Sequence, residues 1–134
     1  MSEKTEPYSV VGEGPYLRRY VRVAVSFPVT YTQNGDDEEK DGHASDLGGG
    51  GLRLSTPEDL ALGAVLLLRF PVPNVGREML VRGRIVLSFY DAKSKRFFHG
   101  VAFTQIDPRD REEIIGFVAA EVARLAAVAD AASE

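Results

Sequence analysis

The stretch that decides the fold is Arg22–Tyr31, RVAVSFPVTY, in which apolar residues alternate with smaller or polar ones. Its apolar face consists of Val23, Val25, Phe27, Val29 and Tyr31. A period of two is typical of a strand with one buried face. Pro28 lacks an amide hydrogen, so it predicts that this strand lies at an edge or carries a bulge.

Further strands are predicted in residues 43–55, 64–72, 79–90 and 97–106. The first of these is interrupted by four glycines and resumes at Leu52, so the total is five or six strands. In residues 79–90, alternation places Val81, Ile85, Leu87 and Phe89 on one face and Arg82, Arg84 and Ser88 on the other. An outward basic face is the ordinary interpretation of Arg82 and Arg84, and a ligand or partner contact is the alternative.

The period changes after Asp107, which precedes Pro108 as an N-cap precedes a proline at the first helical position. The apolar stripe of an amphipathic helix then consists of Ile114, Val118, Val122 and Leu125. Short strands followed by one helix indicate a fold dominated by β-structure. We therefore expect a small antiparallel six-stranded barrel with a C-terminal helix covering one opening.

The length and composition of the chain exclude several kinds of site and of protein. The 134 residues are enough for one domain, and the absence of cysteine excludes disulfides, thiolate zinc sites and cysteine nucleophiles. The only histidines are His43 and His99, so no metal site or cofactor is expected, and His99 is predicted to be a partly buried strand residue. No nucleophile–base arrangement is visible, which argues against an enzyme. No signal peptide or membrane-spanning run is visible, so a soluble cytoplasmic protein is expected.

The charge is concentrated in one place. The chain has 16 basic and 20 acidic side chains, a formal net charge of −4. The segment Asp36–Asp41, DDEEKD, has five acids and one lysine and therefore accounts for all of it. Flanking glycines predict a solvated loop between two strands. The acidic total argues against nonspecific nucleic-acid binding but leaves room for a small anionic ligand at a few local arginines.

Three arginines precede the first strand, in YLRRYVR: Arg18, Arg19 and Arg22. A guanidinium pairs bidentately with phosphate or with a guanine edge and stacks on bases. Taken alone, such a cluster is more often a solvated flank than a binding site.

The second candidate is DLGGGGL, residues 46–52. Four successive glycines fit a tight turn or the close approach of a ligand to the backbone. The run does not match the glycine patterns of nucleotide-triphosphate or dinucleotide sites. Asp46 can accept hydrogen bonds from a guanine edge, or it can cap the turn as an Asx residue.

Together the two segments resemble the PilZ domain family, whose pattern is R-x-x-x-R followed by [DN]-x-S-x-x-G. Arg18 and Arg22 match the paired arginines, and Arg19 matches the additional arginine often found between them. Asp46 matches the [DN] position and Gly51 the last glycine, whereas Gly48 replaces the serine. The resemblance spans about residues 15–125 and continues through HGVAFTQIDPRDREEIIGFV.

The resemblance implies a non-catalytic receptor for the bacterial second messenger cyclic di-GMP. The site would comprise Arg18, Arg19, Arg22, Asp46, Gly48 and Gly51, with Gly49, Gly50 and Arg53 as further contacts. Loss of the serine hydroxyl removes one donor, which the amides of Gly48–Gly51 can partly replace. Ligand binding would order the arginine arm against the barrel and signal to an unidentified protein effector in motility, biofilm or a similar output.

The resemblance also leaves alternatives. A degenerate PilZ domain that binds no nucleotide and acts as a protein-interaction adaptor is favoured by Gly48. A nucleic-acid-binding barrel is disfavoured by the net charge. The expected organisation is a flexible arm at residues 1–14, the PilZ-like domain at 15–126 and a tail at 127–134, in a monomer or weak homodimer without membrane insertion. The acidic loop is a further candidate, and its acids are expected to tune or repel charge at the rim of the site.

Overall fold

The structure is a computed structural model and describes residues 20–132. Its elements are β1 (Arg22–Gln33), β2 (Lys40–Gly48), β3 (Gly51–Thr56), β4 (Val65–Pro71), β5 (Glu78–Asp91), β6 (Arg96–Gln105) and the helix α1 (Pro108–Ala132). The strands close into an antiparallel barrel in the order β1-β2-β3-β6-β5-β4, with β4 returning to β1. The predicted six-stranded barrel with one C-terminal helix is confirmed.

The barrel interior is filled by the inward faces of all six strands, so closing the sheet creates a single core. Three phenylalanines cross this core, with ring centroids 5.8 Å apart for Phe27 and Phe70 and 6.2 Å for Phe70 and Phe103. On β4, Leu66, Leu68 and Phe70 are completely buried, while the residues between them are partly exposed. The period of two in the sequence therefore corresponds to the inside and outside of the barrel.

A bulge in β5 interrupts the alternation that the sequence predicts for this strand. The register with β6 shifts between Ile85 and Leu87, so Val86 joins the buried residues next to Ile85. A bulge places two residues opposite one and reverses the faces beyond it. As a result, Phe89 is 44% exposed on the outside of the barrel, not aligned with Val81 and Ile85.

The strand β1 also contains a bulge, but Pro28 is not in it. The register of β1 with β2 shifts between Ala24 and Phe27. Pro28 is exposed and lies opposite His43 on β2. Since β1 pairs with β2 on one side and with β4 on the other, it is not an edge strand.

The helix α1 begins as predicted and ends beyond the barrel. The amide of Arg109 donates to Asp107 Oδ1 over 2.8 Å, which is an N-cap. Ile114 and Val118 are buried in the barrel core. The predicted stripe fails at its C-terminal end, because Val122 and Leu125 are 43% and 47% exposed.

The predicted domain bounds stay predictions, although the helix crosses one of them. Residues 127–132 continue α1 without a break. The arm at residues 1–14 lies outside the described residues. Within residues 20–132, no helix combines the length and the apolar composition needed to cross a bilayer.

The acidic loop lies at the opposite end of the barrel from the glycines. It joins β1 to β2 after Gln33, whereas Arg22 and Gly48 are paired at the other end of the same two strands. The ten residues from Arg22 to Tyr31 span roughly 30 Å at the rise of a strand. This distance argues against the expectation that the loop tunes the rim of the arginine and glycine site.

Candidate functional site

The turn between β2 and β3 consists of Gly49 and Gly50, flanked by the register pair Gly48 and Gly51. Its carbonyls are held by other elements. Gly50 O accepts from the amide of Phe103 over 2.9 Å, and Gly49 O accepts from Arg111 Nε over 3.1 Å. The turn is thus attached to both β6 and α1.

Close approach, not unusual backbone torsion, explains the glycines at positions 48 and 49. A Cβ atom at Gly48 would lie 2.7 Å from the carbonyl oxygen of Val21, and one at Gly49 would lie 2.8 Å from Tyr20 Cδ1 and 2.9 Å from Ile115 Cγ1. Side chains do not fit at such distances unless the neighbouring atoms move. The absence of side chains therefore lets the segment entering β1 lie directly on the turn.

Arg22 and Asp46 form an ion pair between β1 and β2, from Nη2 to Oδ1. The side chains are only 16% and 21% exposed, so water screens this pair less than a surface pair. Arg22 lies opposite Gly48, and its Cγ would lie 2.9 Å from a Cβ at that position. The glycine that replaces the motif serine is therefore covered by the side chain of Arg22.

Arg53 approaches the same carboxylate from β3. Its Nε lies 3.7 Å from Asp46 Oδ2, and the two residues are paired in register. Two guanidinium groups facing one carboxylate leave a net positive charge at this position. Such a charge suits an anionic ligand better than the formal charge of the whole chain suggests.

The structure thus brings together most of the predicted site residues. Arg22, Asp46, Arg53 and the four glycines Gly48, Gly49, Gly50 and Gly51 lie at one end of the barrel. Arg18 and Arg19 lie outside the described residues. Arg22 was expected on the mobile arm, but it is the first residue of β1.

Sequence reasoning missed two residues of this site, Arg111 and Tyr20. Besides its bond to Gly49 O, the Arg111 guanidinium lies over the Tyr20 ring, with Cζ 5.5 Å from the ring centroid. This cation–π contact joins the first turns of α1 to the residue that leads into β1. No pattern in the sequence pairs Arg111 with a glycine 62 positions away.

An apolar cavity of about 380 Å³ lies beside the glycine turn. It is lined by Tyr20, Val21, Gly49, Ile115, Val118, Ala119 and Val122. None of these side chains is charged, so the cavity lacks the groups that would hold phosphates. The charged positions are on the neighbouring strand surface, where Arg22, Asp46 and Arg53 lie.

His99 is a structural residue of the core. It is completely buried, not partly buried as predicted. The hydroxyl of Thr56 donates to Glu58 O over 2.7 Å and lies 3.0 Å from His99 Nε2, while the hydroxyl of Ser88 donates to Leu60 O over 3.2 Å and lies 2.8 Å from His99 Nδ1. Burial lowers the pKa of His99. Burial thus favours the neutral imidazole, and each ring nitrogen lies within hydrogen-bonding distance of a hydroxyl.

The remaining candidates are not at the centre of this site. Arg84 is in register with Ala102, the partner of Gly51, and Arg82 lies two residues further along β5; both are half-buried. Within the part of the chain that the structure describes, no three histidine or acidic side chains converge in a way that would hold a metal ion.

A comparison with protein-family models shows to which family this fold belongs. The family model described as the PilZ domain matches residues 16–120. The chain belongs to the PilZ domain family. This PilZ domain includes both motif segments within the matched range, and no curated protein sequence matches it.

Solved structures show the same fold. The PilZ domain of YcgR from Escherichia coli, solved with c-di-GMP, is 17% identical with a TM-score of 0.56, over 81% of this chain and 96% of that one. The PilZ domain of CeSA from a cellulose-synthesizing bacterium is 19% identical with a TM-score of 0.53, over 73% and 94%.

A third structure is the inhibitor of motility MotI/DgrA of Bacillus subtilis, 18% identical with a TM-score of 0.72. The match covers 80% of this chain but 52% of that one, so this PilZ domain spans about half the length of that protein. At these identities the likeness establishes the fold.

Proposed function

We propose that this PilZ domain binds cyclic di-GMP at the end of the barrel where Arg22, Asp46 and Arg53 meet. The observation that carries the proposal is the convergence of these charged groups beside a glycine turn. The ligand has two phosphates and two guanines, which require cationic forks and an acceptor for guanine N1–H and N2–H₂. Arg22 and Arg53 supply the former and Asp46 the latter, with Arg18 and Arg19 as proposed further contacts.

The ion pair between Arg22 and Asp46 limits the ways in which the ligand can bind. The carboxylate that would accept from guanine is already in contact with a guanidinium. The ligand therefore either exchanges one of these contacts for its own groups or binds around the existing pair. Arg53 keeps a second cation within 3.7 Å of Asp46 in either case.

The close packing around Gly48 affects what a substitution by serine can test. Its Cβ position is blocked by Val21 O at 2.7 Å, so the segment before β1 lies closer to the turn than a serine would permit. Restoring the hydroxyl with Gly48→Ser would displace this segment as well as add a donor. That substitution therefore does not isolate the contribution of the hydroxyl.

The proposed output is a relay to a protein effector. Arg111 joins the glycine turn to α1 and to Tyr20, so a ligand that moves the turn or the segment before β1 also acts on the helix. Motility is one candidate output, since MotI/DgrA is an inhibitor of motility. A non-catalytic, cytoplasmic, monomeric or weakly dimeric receptor stays the expectation for this chain.

A second candidate is an adaptor that does not bind nucleotide. Two observations favour it: Gly48 replaces the motif serine, and Arg22 is engaged with Asp46 in an ion pair. In such a domain the ion pair would serve to hold β1 and β2 together, and the surface around it would contact a protein directly.

Calorimetric titration with cyclic di-GMP separates the two candidates. The receptor predicts binding with micromolar or tighter affinity in the wild type, lost in Arg22→Ala and in Asp46→Ala. The control is Arg69→Ala, which removes an arginine paired with Glu39 near the acidic loop, and it should bind like the wild type. Absence of heat from the wild type at high ligand concentration would overturn the receptor and favour the adaptor.

A further inference from the structure

A pair of phenylalanine rings lies on the outer surface of the barrel, next to the proposed site. The rings of Phe89 on β5 and Phe98 on β6 stack with centroids 5.6 Å apart and an interplanar angle of 15°. Phe89 is 44% exposed. The bulge between Ile85 and Leu87 turns this ring outward, where it contributes nothing to the core.

Arg53 connects this ring pair to Asp46. Its Nε lies 3.7 Å from Asp46 Oδ2, while its Cζ lies 6.0 Å from the centroid of the Phe89 ring. Gly100 on β6 lies between Arg53 and Phe89. It is paired with Arg53 on β3 and with Leu87 on β5. Because Gly100 has no side chain, Arg53 reaches across β6 to Phe89.

We propose that Arg53 and the Phe89–Phe98 ring pair form a stacking subsite for a purine base. This inference rests on the proposed function, because it gives a place to the base of the ligand that Asp46 does not hold. Purines stack on aromatic side chains and on the flat face of a guanidinium. A protein surface that presents both, beside a cationic site, has the chemistry of a base-binding platform.

The spacing suits a base inserted between guanidinium and ring. Stacked bases are separated by about 3.4 Å, so a purine between two such planes needs about twice that distance. The observed separation of 6.0 Å between Arg53 Cζ and the Phe89 centroid is shorter by only about 1 Å. Arg53 is 31% exposed, so its side chain has room to move outward by that amount.

A tryptophan reporter tests the subsite directly. The sequence contains no tryptophan, so Phe89→Trp introduces a single indole at the proposed platform. A purine stacked on this indole should quench its emission as cyclic di-GMP is added. The matched control is Tyr90→Trp, at the adjacent position, which is 53% exposed and packs its ring against Phe97. Its emission should change little.

Affinity provides the second measurement. Phe89→Leu keeps an apolar side chain but removes the ring, and should weaken cyclic di-GMP binding about tenfold, as expected for one lost base stack. Tyr90→Leu should stay within about twofold of the wild type. Both residues are exposed, so circular dichroism should show an unchanged fold in each variant.

The outcomes distinguish this inference from the proposed function. If the wild type binds and Arg22→Ala does not, but Phe89→Leu binds like the wild type, only the subsite is wrong. Equal weakening in Phe89→Leu and Tyr90→Leu, or equal quenching of both tryptophans, also overturns it. If the wild type does not bind cyclic di-GMP, the receptor proposal fails and the subsite with it.

Discussion

Arg22 and Asp46, 24 residues apart in the sequence, face each other across β1 and β2 as a partly buried ion pair. The pair joins the strand that follows the arginine arm to the strand that leads into the glycine turn. Its two members are also the residues proposed to recognise phosphate and guanine. Structural and ligand-binding roles therefore coincide at one contact.

A double-mutant cycle should detect this contact as a contribution to stability. We expect Arg22→Met, Asp46→Asn and the double variant to give a coupling free energy of about 1 kcal/mol, because the pair is largely shielded from water. Urea unfolding without ligand measures it. Additive effects of the two substitutions would show that the pair does not stabilise the fold.

Arg111 should hold α1 to the glycine turn. Arg111→Met removes the bond to Gly49 O and the cation–π contact with Tyr20, and should lower the free energy of unfolding by about 1–2 kcal/mol. The control is Arg109→Met, since Arg109 is an exposed arginine in the same part of the helix. Equal destabilisation by both substitutions would mean that the contacts of Arg111 do not stabilise the fold.

The close packing around Gly48 predicts a marked sensitivity to a single methyl group. Gly48→Ala places a carbon against the backbone of Val21 and should cost about 1–3 kcal/mol of unfolding free energy. Gly116→Ala is the opposite case, because a Cβ there meets nothing within 4 Å and alanine favours a helix. It should leave stability unchanged or raise it by up to about 1 kcal/mol. A neutral Gly48→Ala would contradict the observed packing.

His99 predicts a loss of stability on acidification. Burial lowers its pKa below the value of about 6.5 that applies to the unfolded chain. Above that value both states are neutral at this residue. Below it the unfolded chain takes up a proton that the folded state binds less readily, so the free energy of unfolding should decrease until the lower folded-state pKa is passed.

Unfolding titrations between pH 8 and pH 5 measure this effect, with variants that separate the two histidines. His99→Gln should be less stable at every pH but should have a shallower decline below about pH 6.5. His43→Gln is the matched control, because it replaces the chain's other histidine at an exposed position. An unchanged slope in His99→Gln would assign the pH dependence to other groups.

The acidic loop should have no effect on equilibrium ligand affinity. Asp36 and Asp37 are exposed at the opposite end of the barrel, roughly 30 Å from Arg22 along the strands, and the screening length in physiological salt is about 8 Å. Titration of cyclic di-GMP into the double variant Asp36→Asn/Asp37→Asn at this ionic strength should give the wild-type affinity within about twofold. A larger change would place the loop closer to the ligand than the fold permits.

Local patterns predict most of this fold. Alternation in Arg22–Tyr31 and the Asp107–Pro108 pair identify a strand and a helix start because each depends on neighbouring residues alone. The bulge before Leu87 and the end of α1 past the barrel depend on how strands and helix meet in three dimensions. For that reason, the outward position of Phe89 and the exposure of Leu125 were missed.

The residues of the candidate site also fall into two groups, those that the sequence predicts and those that it does not. Family resemblance pointed to Arg22, Asp46 and Gly51, since they match a spaced motif, and to Gly48, which stands at the position of the motif serine. It did not identify Arg111, whose contact with Gly49 is created only when the helix packs on the turn, nor Phe89, which meets Arg53 across a third strand. Residues brought in by tertiary packing have no spacing from which they can be recognised.

The separation of the acidic loop from the arginine end gives the molecule an electric dipole along the barrel axis. The loop holds the net charge of −4, which leaves the rest of the chain neutral overall. At low ionic strength, where the screening length reaches about 30 Å, a dianionic ligand would be repelled at one pole and attracted at the other before contact. The acidic loop, too distant to change the affinity in physiological salt, would thus contribute to the association rate at low salt.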